Sequence, residues 1–419
     1  MMSDFDVIGK NVIKKDAISK VTGKALFSSD YEFENMLYAK VLRSEVASAK
    51  IISIDTSKAK ELQGVACVLT HKDIPGENRV GIIIKDEPVL VEDKIRRVGD
   101  ALALVAAETI EIAEKALELI SVEYEELPVV TDIFEAMKED SPKVHGDTNI
   151  LMEKNLIKGD VKEAFKKCDV IVENTYKTPA VAHMFIEPEA GVAKFEKGKI
   201  SFWCSTQNPH FDRGEVARVL ALPQSKVRGV RSEVGGGFGG KLDISVQCHI
   251  GLLTYYTKRP VKLVFSREES MQVSSKRHPH IMKVKTGATE DGKLLAMEAV
   301  FYADTGAYSS YGPAVVSRAM VHATGPYEIP NVKIKSTMMY TNNPMCGAMR
   351  GFGVPQVAIA HESQIDMIAE KLNISSFEIR LINAFKYGSK NANNQIMNNS
   401  IGIMETLEAA KKKADEILK

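Results

Sequence analysis

The sequence has little with which to build a metal cluster or a covalent scaffold. Its 419 residues hold five cysteines, Cys67, Cys168, Cys204, Cys248 and Cys346, an odd number scattered without a CxxC pair. That spacing indicates neither a zinc site nor an iron–sulfur cluster, and it offers no disulfide framework. Reduced thiols in a cytoplasmic protein are the expectation. Net charge is also lacking, because 55 Lys plus Arg balance 55 Asp plus Glu. Neither nucleic acid nor an acidic membrane surface is therefore an expected partner. The N-terminal MMSDFDVIGKNVIKKDAISK contains no apolar segment of a secretory signal. No run approaches the roughly 18 apolar residues that span a bilayer.

Material for a core is present, with 44% apolar residues. The length suits two or three domains at roughly 100–200 residues each. Ala101–Ala107 is a continuous apolar run, which predicts a strand buried on both faces. Thr109 is placed to cap a helix in which Ile112, Ala113, Ala116, Leu117 and Ile120 recur at helical spacing. Alternation in SVEYEEL predicts a half-buried strand, and an earlier helix–strand pair is predicted at Thr56–Leu62 and Val65–Leu69. The polar stretch Lys138–Asn149 reads as a linker. Beyond it, strands are predicted at Val170–Tyr176, Gly191–Phe195, Lys199–Cys204 and Lys226–Val230. Helices are predicted at Gln356–Leu372, after a capping box at Ser375 and Glu378, and at Ile403–Leu418 with an apolar stripe. The expected class is α+β, divided at residues 1–145 and 146–419.

Gly235-Gly236-Gly237-Phe238-Gly239-Gly240-Lys241 is the most unusual segment. So many glycines carry a conformational-entropy cost, which suits backbone that must approach something closely. A phosphate-binding P-loop would fit Gly235, Gly240 and Lys241, but Leu242 then stands where a magnesium-binding hydroxyl is needed. A dinucleotide fingerprint would fit Gly235, Gly237 and Gly240. The preceding KVRGVRSEV, however, alternates with charge where a buried parallel strand should be apolar. A plain glycine turn packing a helix on a sheet is the third reading.

The loop has two companions. Ser205-Thr206-Gln207-Asn208-Pro209 precedes it, and Ala348-Met349-Arg350-Gly351-Phe352-Gly353-Val354-Pro355-Gln356 follows it. In this order and spacing the trio resembles the molybdenum hydroxylases: xanthine dehydrogenases, aldehyde oxidases, nicotinate dehydrogenase and relatives. Val21-Thr22-Gly23 and Arg96-Arg97-Val98-Gly99-Asp100-Ala101 resemble the α/β hammerhead domain of that family, which gives residues 1–145 an expected identity and residues 146–419 the role of cofactor domain.

The resemblance implies a molybdenum–molybdopterin cofactor held by the dithiolene of its pterin, with no protein side chain as metal ligand. The cytosine dinucleotide form and a terminal sulfur or selenium are part of that implication. Gln207 would donate its amide to an oxygen of the metal. The backbone at Gly237, Phe238 and Gly239 would approach the metal's ligands, with Arg350 and its neighbours as a second wall. Phe352 would stack on the substrate ring, and Arg318 would hold a carboxylate or a developing oxyanion. Both Gln207 and Arg318 are thus expected catalytic residues.

Two departures refine the resemblance. Xanthine-type members place a purine-binding glutamate directly after Gly-Gly-Lys, where this sequence has Leu242, so a less polar ring such as nicotinate is expected. The family's molybdenum subunit is also nearly twice as long, with its general-base glutamate in the missing part. The layout resembles the split large molybdopterin subunit of nicotinate dehydrogenase. The implied partners are a second molybdopterin subunit carrying that glutamate, a 2Fe–2S subunit and an FAD subunit. Within the chain, Glu187-Pro188-Glu189 beside His183 is the candidate for acid–base chemistry, with a structural turn as its plainer reading. Rival functions are a xanthine, purine or aldehyde hydroxylase subunit, an NAD-binding Rossmann dehydrogenase, and a non-catalytic scaffold.

Overall fold

The structure is a computed structural model that describes residues 5–417. The first four residues of the expected N-terminal domain, and Leu418 of the last helix, lie outside the described residues.

The strand Ala101–Ala107 forms as the sequence predicts, and its alternation serves two cores. Leu104 and Ala106 join one cluster with Leu37, Val41, Leu69, Ile250 and Leu253. Ala103, Val105 and Ala107 face the opposite way, onto Ala113 and Ala116 of the helix Ile110–Glu118. That helix is capped by the Thr109 side chain, which accepts from the Ile112 N–H. The predicted SVEYEEL strand is Ser121–Glu126, but it lies at the edge of a three-stranded sheet and is mostly exposed.

Ala101–Ala107 belongs to a seven-stranded sheet whose strands come from both halves of the sequence. Leu37–Arg43 pairs antiparallel with Ala101–Ala107 on one side. On the other it pairs parallel with Val261–Val264, so that Leu37 stands opposite Val261. The sheet continues through Ala190–Glu196 and Lys199–Cys204 to Val227–Arg231 at its edge. The helices Pro209–Val219 and Gln247–Thr257 contribute Val216, Val219, Ile250 and Leu253 to its core.

A second, five-stranded sheet is ordered Val170–Thr178, His280–Ala288, Leu294–Gly306, Asn331–Tyr340, Ile150–Lys158. Its one parallel pair is Leu294–Gly306 with Asn331–Tyr340. The helix Val354–Leu372 packs Val357, Ala360, Ile365 and Ile368 against it. The polar stretch Lys138–Asn149 is no slack linker. Asn149 is buried, accepts from the Val144 N–H at 2.9 Å and donates to Ala136 O and Pro142 O. The same stretch is tied down from outside by Arg96 Nε, which donates to Val144 O, and by the bond between His145 Nε2 and Ala307 O. Arg97, buried between Glu87 and Asp100, donates to Val273 O at 3.0 Å and so links the two sequence halves.

The C-terminal helix runs Ile403–Ile417, but none of its residues is buried and Ile417 is 72% exposed. Its apolar stripe packs into neither core cluster.

Candidate active site

Lys199–Cys204 and Val227–Arg231 are parallel neighbours, with Cys204 opposite Arg231. Chain leaving the carboxyl ends of adjacent parallel strands emerges on one edge of the sheet, where such sheets commonly bind ligands. Gln207 lies just beyond the first strand end and Gly235 just beyond the second. Their meeting follows from the strand pairing.

Gln207 Oε1 accepts the N–H groups of Gly239 at 2.9 Å and Lys241 at 3.3 Å. Two backbone donors on one end of the amide fix its orientation, so the other end is the donor. That Nε2 has no partner among the described residues, and the side chain is exposed. The loop can come this close only because it is glycine. A β-carbon on Gly237 would lie 2.5 Å from Gln207 Oε1, and one on Gly239 2.5 Å from Ala348 O. Phe238 holds a φ of +52° at 48% exposure. The N–H groups of Gly237 and Phe238 have no partner among the described residues. The expectation for Gly239 needs correction here: its N–H is taken by Gln207, so it shapes the loop and offers no free donor.

Glu187 clamps the glycine loop from behind. Its Oε2 accepts from the Gly235 N–H at 2.7 Å and from Lys241 Nζ at 2.8 Å. Lys241 Nζ also donates to Glu187 O, and its side chain is 1% exposed. Burial pulls its pKa below the usual lysine range, against the raising effect of Glu187. Lys241 therefore has no free amine for a phosphate, which removes the P-loop reading. Arg267 donates to Phe185 O and Ile186 O, and His183 bonds Ala348 O at 2.8 Å. Glu187-Pro188-Glu189 is a pinned turn, in agreement with its plainer reading. The Rossmann reading also fails, because Val227–Arg231 is an edge strand of a mixed sheet and Arg228 and Arg231 are exposed.

The third motif closes on the second. Arg350 N–H donates to Phe238 O at 2.9 Å, and Arg350 O accepts from Arg277 at 3.0 Å. Gly351, Phe352 and Gly353 all take positive φ. Gly353 packs so tightly on the helix Gly312–Val321 that a β-carbon would stand 2.4 Å from Val315 O. Arg318, on that helix, is exposed and makes no side-chain hydrogen bond or ion pair among the described residues. Burial, with the Arg318 charge beside it, pulls His322 below the usual histidine range. Leu242 is half-buried, its N–H donating to Gly239 O at 3.3 Å. Gln207, Gly237, Phe238, Gly239 and Arg350 thus form one constellation, and Leu242 and Phe352 adjoin it in the same loops. Arg318 stands on the neighbouring helix without direct contact to them.

Sequence reasoning missed Asp212. It is fully buried in the helix Pro209–Val219 and accepts from Gln247 Nε2 at 3.2 Å. Burial pushes its pKa up to about 7, opposed by the hydroxyl of Thr206 in the Gln207 motif. The folded chain therefore holds a proton that the unfolded chain releases near pH 4. Its contribution to stability is full below that pH and is lost as pH rises through about 7. The variant Asp212→Asn should flatten this fall, which is at most about 1.4 kcal/mol per pH unit, in denaturant titrations between pH 5 and 8. An unaltered slope would show that Asp212 is ionised in the fold.

The unpaired donors on Gln207, Gly237 and Phe238, in a cradle that β-carbons would fill, fit a group carrying anionic oxygens. Residues 144–384 match the family model described as the molybdopterin cofactor-binding domain. Residues 22–128 match that of the aldehyde oxidase and xanthine dehydrogenase a/b hammerhead domain. The chain belongs to this family. It is a catalytic subunit of the molybdenum-dependent hydroxylases and dehydrogenases, with the α+β fold expected of it.

The nicotinate dehydrogenase large molybdopterin subunit of Eubacterium barkeri is 55% identical over 419 residues, covering 100% of this chain and 99% of that one. The xanthine dehydrogenase molybdenum-binding subunit of Escherichia coli is 35% identical over 96% of this chain and 55% of its own length. Among solved structures, the aldehyde oxidoreductase of Desulfovibrio gigas superposes with a TM-score of 0.91 at 31% identity, over 95% of this chain and 46% of that one. The chain thus spans nearly all of the first relative and about half of the other two. Among the described residues no helix is long and apolar enough to cross a membrane.

Proposed function

We propose that the chain is the large molybdopterin subunit of an enzyme that hydroxylates an electron-poor ring carbon of an N-heteroaromatic acid, with nicotinate as substrate and 6-hydroxynicotinate as product. The observation that carries the reading is Arg318, a guanidinium without a carboxylate partner, on the helix that packs against Gly353 beside Phe352. A planar cation of this kind holds a carboxylate through two hydrogen bonds. Leu242 favours the same choice, because an isobutyl group cannot pair the polar edge of a purine. The full-length relative named for nicotinate supports it further.

When bound, the molybdenum cofactor supplies water-derived oxygen to the substrate carbon and accepts two electrons. Gln207 would hold it through the free amide Nε2, and Gly237 and Phe238 through their N–H groups. Phe352 would form one wall for the ring, and Arg318 would orient the ring by its carboxylate. Arg350 keeps the glycine loop in place by closing on Phe238 O. The cytosine dinucleotide form of the pterin and a terminal sulfur or selenium belong to the same reading. So do a second molybdopterin subunit carrying the base glutamate, a 2Fe–2S subunit, an FAD subunit and a cytoplasmic site of action.

The test is the native complex, assayed for molybdenum and for turnover of nicotinate, xanthine and a neutral aldehyde. Nicotinate should be preferred. Arg318→Met should raise KM for nicotinate by about 10- to 100-fold, the scale of a lost hydrogen bond to a charged group, and leave the aldehyde nearly unaffected. If xanthine is the best substrate, Leu242 does not exclude a purine from the site. Equal losses for acid and aldehyde would show that Arg318 does not read the carboxylate.

A further inference from the structure

Tyr311 is not part of any of the three motifs, yet it packs on Phe352 of the third and lies near Asn208 of the first. Its ring stands edge-on to Phe352, with centroids 5.7 Å apart and planes at 73°. It is the N-cap of the helix Gly312–Val321, and the N–H groups of Ala314 and Val315 donate to its carbonyl at 3.0 Å. Arg318 lies two turns further along that helix. Burial raises the pKa of the Tyr311 hydroxyl, and the Asn208 side chain, directly after Gln207, opposes that rise.

The residue before it shows that this placement is held against a cost. Ser310 adopts a φ of +40°, which residues with a β-carbon avoid. Its Oγ donates to Asp243 Oδ1 at 2.7 Å, and both side chains are buried. Asp243 follows Leu242 directly. Strain of this kind persists only where the surroundings over-determine it, and it gathers at ligand sites.

We propose that Tyr311 is a positioning residue that fixes the Phe352 ring as a platform, so that the site prefers a flat aromatic acid to a saturated ring of equal size and charge. The inference rests on the proposed role of Phe352 and names the residue that holds that wall. An edge-on aromatic pair keeps one ring from rotating, and a ring held in advance loses less freedom when a second ring stacks on it. Leu242 and Arg318 read polarity and charge. Tyr311 adds selection for flatness.

The test is isothermal titration of the molybdenum-loaded native complex with nicotinate and, separately, with cyclohexanecarboxylate. Tyr311→Leu and Tyr311→Met should weaken nicotinate binding by about three- to tenfold and leave cyclohexanecarboxylate within about twofold. Tyr311→Phe keeps the ring and should restore nicotinate affinity. Equal weakening of both ligands, as a general loss of structure would give, overturns the proposal. So does an unchanged affinity for both, or a Tyr311→Phe complex as weak as Tyr311→Leu. Phe352→Leu separates the two levels. If it leaves nicotinate binding intact, the aromatic wall itself is wrong. If it weakens nicotinate while Tyr311→Leu does not, only the role of Tyr311 falls.

Discussion

Gln207→Ala is expected to lower kcat by about 10- to 1000-fold with molybdenum still bound, the scale for removing one preorganised donor. The amide has two ends with two tasks. Oε1 takes the N–H groups of Gly239 and Lys241, which anchors the loop, and Nε2 is left to donate. Alanine removes both functions, so a second variant is needed. Gln207→Glu keeps acceptors for the loop and loses the donor. The proposed role requires both variants to fail in turnover while metal analysis finds the cofactor retained. A Gln207→Glu enzyme with normal kcat would assign Gln207 to anchoring alone.

Glu187→Gln is expected to destabilise the chain by about 3–5 kcal/mol, because it leaves the Lys241 ammonium buried without its counter-charge. The double variant Glu187→Gln/Lys241→Met should recover much of that loss, since no uncompensated charge then remains. Denaturant midpoints of the three proteins measure this directly. The rival account makes Glu187 an acid–base group. It would be supported if Glu187→Gln left the midpoint unchanged and removed a limb of the pH–rate profile. Its engagement by the Gly235 N–H and the Lys241 amine argues for the clamp.

These two residues show where sequence reading reaches and where it stops. The glycine loop was legible from its composition, whereas Gln207 and Arg350 were legible only through the resemblance of the three motifs, in their order and spacing, to a known family; the fold brings the three together. Ala101–Ala107 was legible because a strand buried on both faces must be apolar at every position. The role of Glu187 was not legible, since its partners Gly235 and Lys241 lie some fifty residues away and nothing local records the pairing. The five-stranded sheet was largely missed for a related reason. Leu294–Gly306 contains alanines, an aspartate and a glycine, and its parallel partner Asn331–Tyr340 lies beyond an intervening helix. Asp212 looks like any helix-surface carboxylate until the fold buries it. The helix Ile403–Ile417 was legible from its apolar periodicity, although neither core cluster receives its stripe.

The parallel pairing of Leu37 with Val261 also sets a timetable for biosynthesis. The two strands are about 220 residues apart in the chain, so the free edge of Leu37–Arg43 has no mate when it leaves the ribosome. At roughly 5–20 residues per second, the mate follows about 10 to 45 seconds later. During that interval an apolar strand with unpaired N–H and C=O groups is a template for any passing edge. The hammerhead segment is therefore a poor candidate for excision as an autonomous piece. The nascent chain needs either protection by a chaperone or a folding order in which the N-terminal strands settle last.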